Sequence, residues 1–510
     1  MKGAGSDFKA VAAGPETEIS PVISSAVPLA RKMDRSLAHS LAWRAVANWT
    51  SQLFSWASFL ITVRLLTPAD FGIAAMAIIL WPYLRVLGEF GIGQSIITLR
   101  DLTDDQIAQL NSVGVLLGFA ACGLGTLLAK PLAAFFKTEV LAPVVIVSCT
   151  ALIPLGFKVV SEALLCKEMR FGLTAWFEAI LAVVSATATL SMAYFGMGYW
   201  ALVLGNLLGY TVRSVLVVCF RPHRFAIPHL AALRRPLLFG WHVLVSVVAW
   251  SAYERLDNVT AGRVLGKAAL GYYGLAWNLA NVPLEKLTTL VTTVLPSYLA
   301  TVQKDPAALR RYVRTLTEAL ALATFPATIG LALVARDLIP LVMGQKWYPV
   351  VAPLEILAMY TTFRSIVALL PKVLTAVGNA RFVMWNDLRG LLSLPIAFVI
   401  GSHWGLTGIA WAWVIAYPTV ALPLYWKTFR TIEMNIGEYL AALRPAGDGV
   451  VAMAVGVGLL KWVSVGRLPI LTRLFLEIAV GMIIYASTVL LLHRSRVFAF
   501  LGVIRQARSA

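Results

Sequence analysis

The stretch from Val247 to Gly266, VVAWSAYERLDNVTAGRVLG, begins as an apolar run and then carries Glu254, Arg255 and Asp257. Carboxylates in a partly dry setting can exchange a proton or a cation, and a guanidinium stays charged and offers forked donors that suit phosphate. His242, Ser246, Trp250, Glu254 and Asn258 recur at four-residue steps, so on a helix they share one side, with Arg255 beside it and Asp257 at its flank. An ionised group at the middle of a bilayer costs about 2.5–3.5 kcal/mol on insertion scales. That side therefore belongs in an interior: it faces a water-filled cavity, or it forms a buried ion pair that ties two halves of the molecule together. His242 alone reads more simply as a packing residue than as a proton carrier.

Other charges interrupt apolar runs. Arg44 is followed by Asn48 and Gln52 at the same four-residue step, which makes a polar stripe on the first helix, or an arginine that reaches to the interface. Arg213 follows Tyr210 by three residues and Asn206 by seven, a second cation on a polar face with no acid in its own pattern. Arg85 with Glu89, and Lys158 with Glu162, are four apart and can neutralise each other within a helix. Glu178, Glu285, Lys286, Arg364, Asp387 and Arg389 complete the set. The four cysteines show no CxxC spacing, so neither a metal site nor a disulfide framework is expected. No GxxxxGK[ST] loop is present, which leaves direct ATP hydrolysis unsupported, and no cofactor is expected.

The elements that must position these groups are membrane spans. Of 510 residues 59% are hydrophobic and 13% charged, and the mean hydropathy is +0.78, outside the range of soluble domains. At about 20 apolar residues per crossing, the spans fall near 40–63, 72–97, 108–129, 140–163, 172–195, 198–220, 237–260, 268–293, 315–335, 349–372, 382–402, 404–426, 449–464 and 470–492. The expected fold is all-α and polytopic, with about fourteen transmembrane helices. The net charge of +18 sits in short links between spans, which points to topology and anionic membrane lipid and away from nucleic acid. Links on one side hold Arg100, Lys167, Arg170, Arg221, Arg224, Arg234, Arg235, Arg310, Arg311, Lys427 and Arg430; far fewer cations lie on the other. By the positive-inside rule both termini are cytosolic. The short outer links leave no room for an extramembrane catalytic domain, and the chain is not expected to be an enzyme.

An internal echo divides the chain. RLLTPADFGIAAMA from Arg64 matches RVLGKAALGYYGLA from Arg263, pairing Arg64 with Arg263, Leu66 with Leu265, Gly72 with Gly271 and Ala77 with Ala276. AKPL at Ala129 echoes ARDL at Ala335, and MRF at Met169 echoes ARF at Ala380. Three matches in order imply two six-helix lobes around a central cavity plus a C-terminal helix pair. The expected boundaries are a disordered cytosolic tail over 1–36, an N-lobe over 37–222, a C-lobe over 223–430, and the helix pair with a cytosolic tail over 431–510.

RLLTPADFG, GEFGIGQSIITLRDLTDDQI, CKEMRF, DNVTAGRVLGKAALGYYGLA, LPSYLATVQKDPAALRRYVR and GQKWYPVVAPLEILA together resemble the polysaccharide-transporter branch of the MOP superfamily, the Wzx-type bacterial flippases. The positions that match most plainly are Gly72, Gly91, Arg100, Asp257, Gly266, Gly271 and Tyr273. The resemblance implies a multi-pass protein of the bacterial inner membrane. It implies alternating-access movement of an undecaprenyl-pyrophosphate-linked oligosaccharide for O-antigen, capsule or exopolysaccharide assembly, with polysaccharide polymerase or export proteins as partners. For such a cargo Arg44, Arg213, Arg255 and Arg364 are the candidate head-group cations. Asn48, Gln52, Trp250 and Tyr253 are candidate polar or sugar-stacking groups of the cavity. Asp257 and Glu254 are candidates for binding a coupling proton or sodium ion. A cation-coupled multidrug or small-solute exporter, or a lipid II flippase, of the same superfamily is the alternative; a drug exporter favours an acidic cavity, whereas several charges here are arginines.

Overall fold

The computed structural model describes residues 52, 54–99, 101–302, 305–464 and 466–494. The chain divides into two units, Met1–Leu53 and Phe54–Ala510. The expected tail over 1–36, the stripe residues Arg44 and Asn48, and Arg100 lie outside the described residues.

Helices follow one another with short links: α1 Phe54–Leu65, α2 Pro68–Ile78, α3 Trp81–Glu89, α4 Ile92–Thr98, α5 Asp104–Phe135, α6 Leu141–Cys149, α7 Leu152–Lys167, α8 Phe171–Tyr194 and α9 Tyr199–Phe220. Then come α10 Leu230–Thr260, α11 Lys267–Val302, α12 Pro306–Met343, α13 Val351–Val367, α14 Leu370–Ala376, α15 Ala380–Ser402, α16 Gly405–Thr431, α17 Ile436–Ser464 and α18 Ile470–Leu492. There is no strand among the described residues. The chain is an all-α, multi-pass membrane protein. Eleven stretches among the described residues are long and apolar enough to cross a bilayer. Three further expected spans correspond to α1, α10 and α11 and stand outside those eleven.

Local chemistry sets the helix starts. Thr67 and Asp70 form a capping box ahead of α2, and Thr103 and Gln106 repeat it ahead of α5. The Asp305 carboxylate accepts the N–H groups of Ala307 and Ala308 to begin α12. Phe90 and Gly91, both in the left-handed region (φ 43° and 64°), break α3 from α4.

Helices pack both within and between the two stretches that the repeat pairs. In the first, α5 lies against α3, α6 and α7, and α8 against α9. In the second, α12 packs on α13, α13 on α16, and α15 on α16. The final pair, α17 and α18, packs on itself and on α12, where the Arg473 guanidinium grips the Asp337 carboxylate with Nε 2.9 Å from Oδ2. α10 touches both halves. Its first turns meet α3, α4 and α5, with Arg235 paired to Asp101 and Gly240 against the Phe90 carbonyl; its last turns enter the second half at Asp257.

The halves meet most closely where α2 crosses α11. A Cβ on Gly72 would fall 1.7 Å from the Lys267 carbonyl oxygen, and one on Gly271 would fall 1.9 Å from that of Pro68. Only glycine permits this backbone-to-backbone approach.

Candidate functional site

A cavity of about 770 Å³ opens beneath that crossing. One face of α11 lines it at helical spacing with Gly274, Trp277, Asn278, Asn281, Glu285 and Thr288. α10 adds Arg255 and Asn258, α13 adds Arg364, α14 adds Lys372, α15 adds Asp387 and α16 adds Tyr417. The first half contributes Ala75, Ile78 and Ile79 from α2 and its end. The cavity thus lies between the halves, with three cations facing two carboxylates across amides and aromatic rings.

One of these cations is fixed by a neighbouring amide. Arg364 Nη1 donates to Asn281 Oδ1 at 3.3 Å, and Asn281 Nδ2 donates to the Trp277 carbonyl at 2.9 Å. The Asn281 amide thus helps to fix where this guanidinium sits on the cavity wall. Trp277 in turn belongs to an aromatic stack: its ring centroid lies 5.2 Å from Trp413 and 6.0 Å from Tyr360, which is 4.8 Å from Trp413 and 5.1 Å from Tyr417. Such contacts lock ring orientation and give the wall a stiff apolar face.

Behind that wall sits Asp257, wholly buried. Its Oδ2 accepts the Tyr273 hydroxyl at 2.9 Å and Trp413 Nε1 at 3.1 Å, and its Oδ1 accepts the Asn258 backbone N–H at 2.7 Å and Nδ2 at 2.9 Å. Asp257 therefore does not line the cavity, unlike Arg255 two residues before it. Four neutral donors satisfy the carboxylate, so it tolerates burial within the second half and anchors the ring stack.

Arg213 also departs from expectation. It is not an unpaired cation on a lining: its Nη2 lies 2.5 Å from Glu162 Oε1 and 2.6 Å from Glu178 Oε1, joining α7, α8 and α9 inside the first half. Glu162 is bonded as well to Lys158, the pair its four-residue spacing predicts. Arg213 and Lys158 are buried, and two acids neutralise them there.

Arg255 and Arg364 line the cavity together, while Arg213 does not. Only the backbone of Trp250, Tyr253 and Glu254 is described, and Arg44 and Asn48 lie outside the described residues. Gln52 is helical and half-buried in the unit Met1–Leu53. Sequence reasoning missed Trp277, Asn281, Lys372 and Tyr417 as cavity residues and left Asp387 without a role. The polar face of α11, Asn278, Asn281, Glu285 and Thr288, carried a readable signal at steps of three and four.

The chain is 24% identical to lipopolysaccharide biosynthesis protein WzxC of Escherichia coli (strain K12), over 77% of this chain and 82% of that one. It is 22% identical to succinoglycan biosynthesis transport protein ExoT of Rhizobium meliloti (strain 1021), over 92% and 96%. The fold is similar to that of lipid II flippase MurJ in an inward closed conformation, with a TM-score of 0.73 at 15% identity, over 89% of this chain and 99% of that one. The family model described as polysaccharide biosynthesis protein matches residues 61–352. With more than half of its length matched in this way, the chain belongs to the polysaccharide biosynthesis protein family.

Proposed function

We propose that this protein is a flippase that moves a polyprenyl-diphosphate-linked oligosaccharide across the bacterial inner membrane by alternating access between its two lobes. The observation that carries the reading is the inter-lobe cavity, which sets Arg255, Arg364 and Lys372 beside a buttressed Trp277. A diphosphate needs fixed cations and forked donors, and a sugar ring needs a flat apolar face with hydrogen-bonding groups at its edge. The cavity offers both, and its volume suits a head-group of several hundred cubic ångströms. The polyprenyl tail stays in lipid while the head-group crosses. Three cations against two carboxylates also oppose a cationic drug as cargo.

Under this reading the N- and C-termini are cytosolic, the lobes span 37–222 and 223–430, and the links that hold Arg64, Arg263 and Lys346 are periplasmic. A polysaccharide polymerase or export protein receives the product, and the chain itself catalyses no covalent step. The energy comes from an ion gradient or from use of the lipid on the far side. Asp387, on the cavity wall, is better placed than Asp257 to exchange an ion with water. Purified protein in proteoliposomes, given a fluorescent undecaprenyl-diphosphate oligosaccharide, should move it between leaflets; no movement above empty liposomes defeats the reading.

A further inference from the structure

Arg64 and Arg263 hold matching places in the internal repeat, and each reaches out of its own half. Arg64 Nε and Nη2 donate to the carbonyls of Val342 (2.7 Å) and Leu341 (2.6 Å), at the C-terminal end of α12. Arg263 Nη1 donates to the carbonyl of Phe135, the last residue of α5, and its guanidinium lies 5.2 Å from the centroid of that ring. α5 and α12 are themselves matched through Ala129 and Ala335, and Phe135 and Leu341 each follow those alanines by six residues. Matched donors therefore meet matched acceptors, each in the opposite half.

The chemistry suits a contact that breaks and re-forms. The last carbonyls of a helix have no intrahelical donor and carry the negative end of its dipole, so a cation is a favourable cap there. Both arginines are exposed, so water can replace each carbonyl when the halves part, and no charge is stranded in a dry interior.

The two halves of this arrangement are unequal. Beside Arg64, Lys346 Nζ donates to the carbonyls of Arg64 (2.5 Å) and Leu66 (2.7 Å), and Trp347 Nε1 donates to that of Val63 (2.9 Å). Lys346 and Trp347 stand eleven and twelve residues after Ala335; the positions eleven and twelve after Ala129 are Val140 and Leu141, whose side chains have no donor.

We propose that Arg64 and Arg263 form a crossed latch, opened and closed once per transport cycle, which sets how often this end of the molecule parts, with the Arg64 side the stronger. The proposal rests on the transporter reading. Its test is a distance measurement that does not need the cargo. Full-length protein in lipid nanodiscs, with the four native cysteines replaced, carries spin labels at Glu139→Cys in one half and Tyr348→Cys in the other, both exposed positions. Pulsed EPR on the unsubstituted latch should give one short distance. Arg64→Ala should raise a longer-distance population roughly two- to fivefold, Arg263→Ala less, and the double substitution more than either. Arg64→Lys, which keeps the charge but lacks the planar fork of separated donors, should fall between Arg64→Ala and the parent. The melting temperature should stay near the parent's, which separates release of a latch from general loss of packing. A double variant with the parent's distance distribution overturns the proposal, and so does an Arg263→Ala effect larger than that of Arg64→Ala. If the double variant does not accumulate, the two single variants decide the matter alone. Failure here leaves glycolipid movement by the parent intact, whereas a wrong transport reading shows as no movement by the parent at all.

Discussion

Gly72 and Gly271, which hold the same place in the two repeats, lie against each other where α2 crosses α11. An ideal Cβ on Gly271 comes within 3.1 Å of the Gly72 backbone nitrogen. Equivalent residues of two related halves meet in this way when they sit beside the axis that relates the halves.

Replacing either glycine by alanine should push two helix backbones apart. Gly72→Ala or Gly271→Ala is expected to cost about 1–3 kcal/mol, as overpacking does in tight interiors. The check is a lowered melting temperature of the purified protein in detergent, with Gly274→Ala, where a Cβ meets open space, as the control that stays near the parent.

Arg255→Ala and Arg364→Ala each remove a cavity cation. A charge-assisted hydrogen bond is worth about 1.5–3 kcal/mol, so movement of the diphosphate-linked oligosaccharide should fall about ten- to a hundredfold. Time courses in proteoliposomes with matched protein content test this, and normal rates from both variants remove the pair from the mechanism.

Asp257→Asn exchanges a carboxylate oxygen for an NH2 that confronts other donors. The expected result is a loss of stability of about 1–3 kcal/mol, together with changed tryptophan fluorescence as Trp413 loses its acceptor. Any dependence of transport on an imposed ion gradient should survive in the fraction that folds. A fully stable Asp257→Asn protein that has lost its gradient dependence contradicts this placement.

Trp277→Ala should impair cargo by its sugar content. Movement of a lipid with a long glycan is expected to slow about tenfold, in line with about 1–3 kcal/mol for a stacked ring, while the sugar-free undecaprenyl diphosphate is much less affected. Equal slowing of both lipids refutes a sugar platform.

Outside the membrane spans, the backbone around Asp101 and the guanidinium of Arg235 hold the Asp101 carboxyl below the usual carboxylate range. A depressed value means that the ionised pair contributes at pH above the ordinary carboxylate value, about 3.9, and that the contribution disappears as pH falls through the depressed one. Melting curves of the parent and Asp101→Asn should therefore keep a constant gap from neutral pH down to about pH 4 and converge below it. A gap that closes near pH 6 speaks against the pairing.

The class of fold was legible because apolar runs of bilayer length leave few alternatives, and the close approach of Gly72 and Gly271 falls at positions that the internal echo pairs. Intrahelical spacing also exposed the Lys158–Glu162 pair. The partners of Arg213 stayed hidden, since Glu162 and Glu178 reach it from two other helices, and no periodicity within one helix reports an acid on another. Asp257 misled for a related reason. A carboxylate beside an arginine in the chain reads as part of a charged site, yet its Oδ2 turns to donors on α11 and α16, 16 and 156 residues away in sequence.

α10 is a single rod of 31 residues, about 46 Å long at 1.5 Å per residue, with one foot in each half. The Asp257 foot is sunk among four hydrogen bonds in a dry setting, and the other foot is held as well: beside the exposed Arg235–Asp101 pair, Leu233 is wholly buried with Ile92, Ile96 and Leu110 of the first half, and Gly240 lies against the Phe90 carbonyl. α10 is therefore a strut fastened at both ends, so any parting of the halves must loosen one of its two anchorages or bend the helix between them.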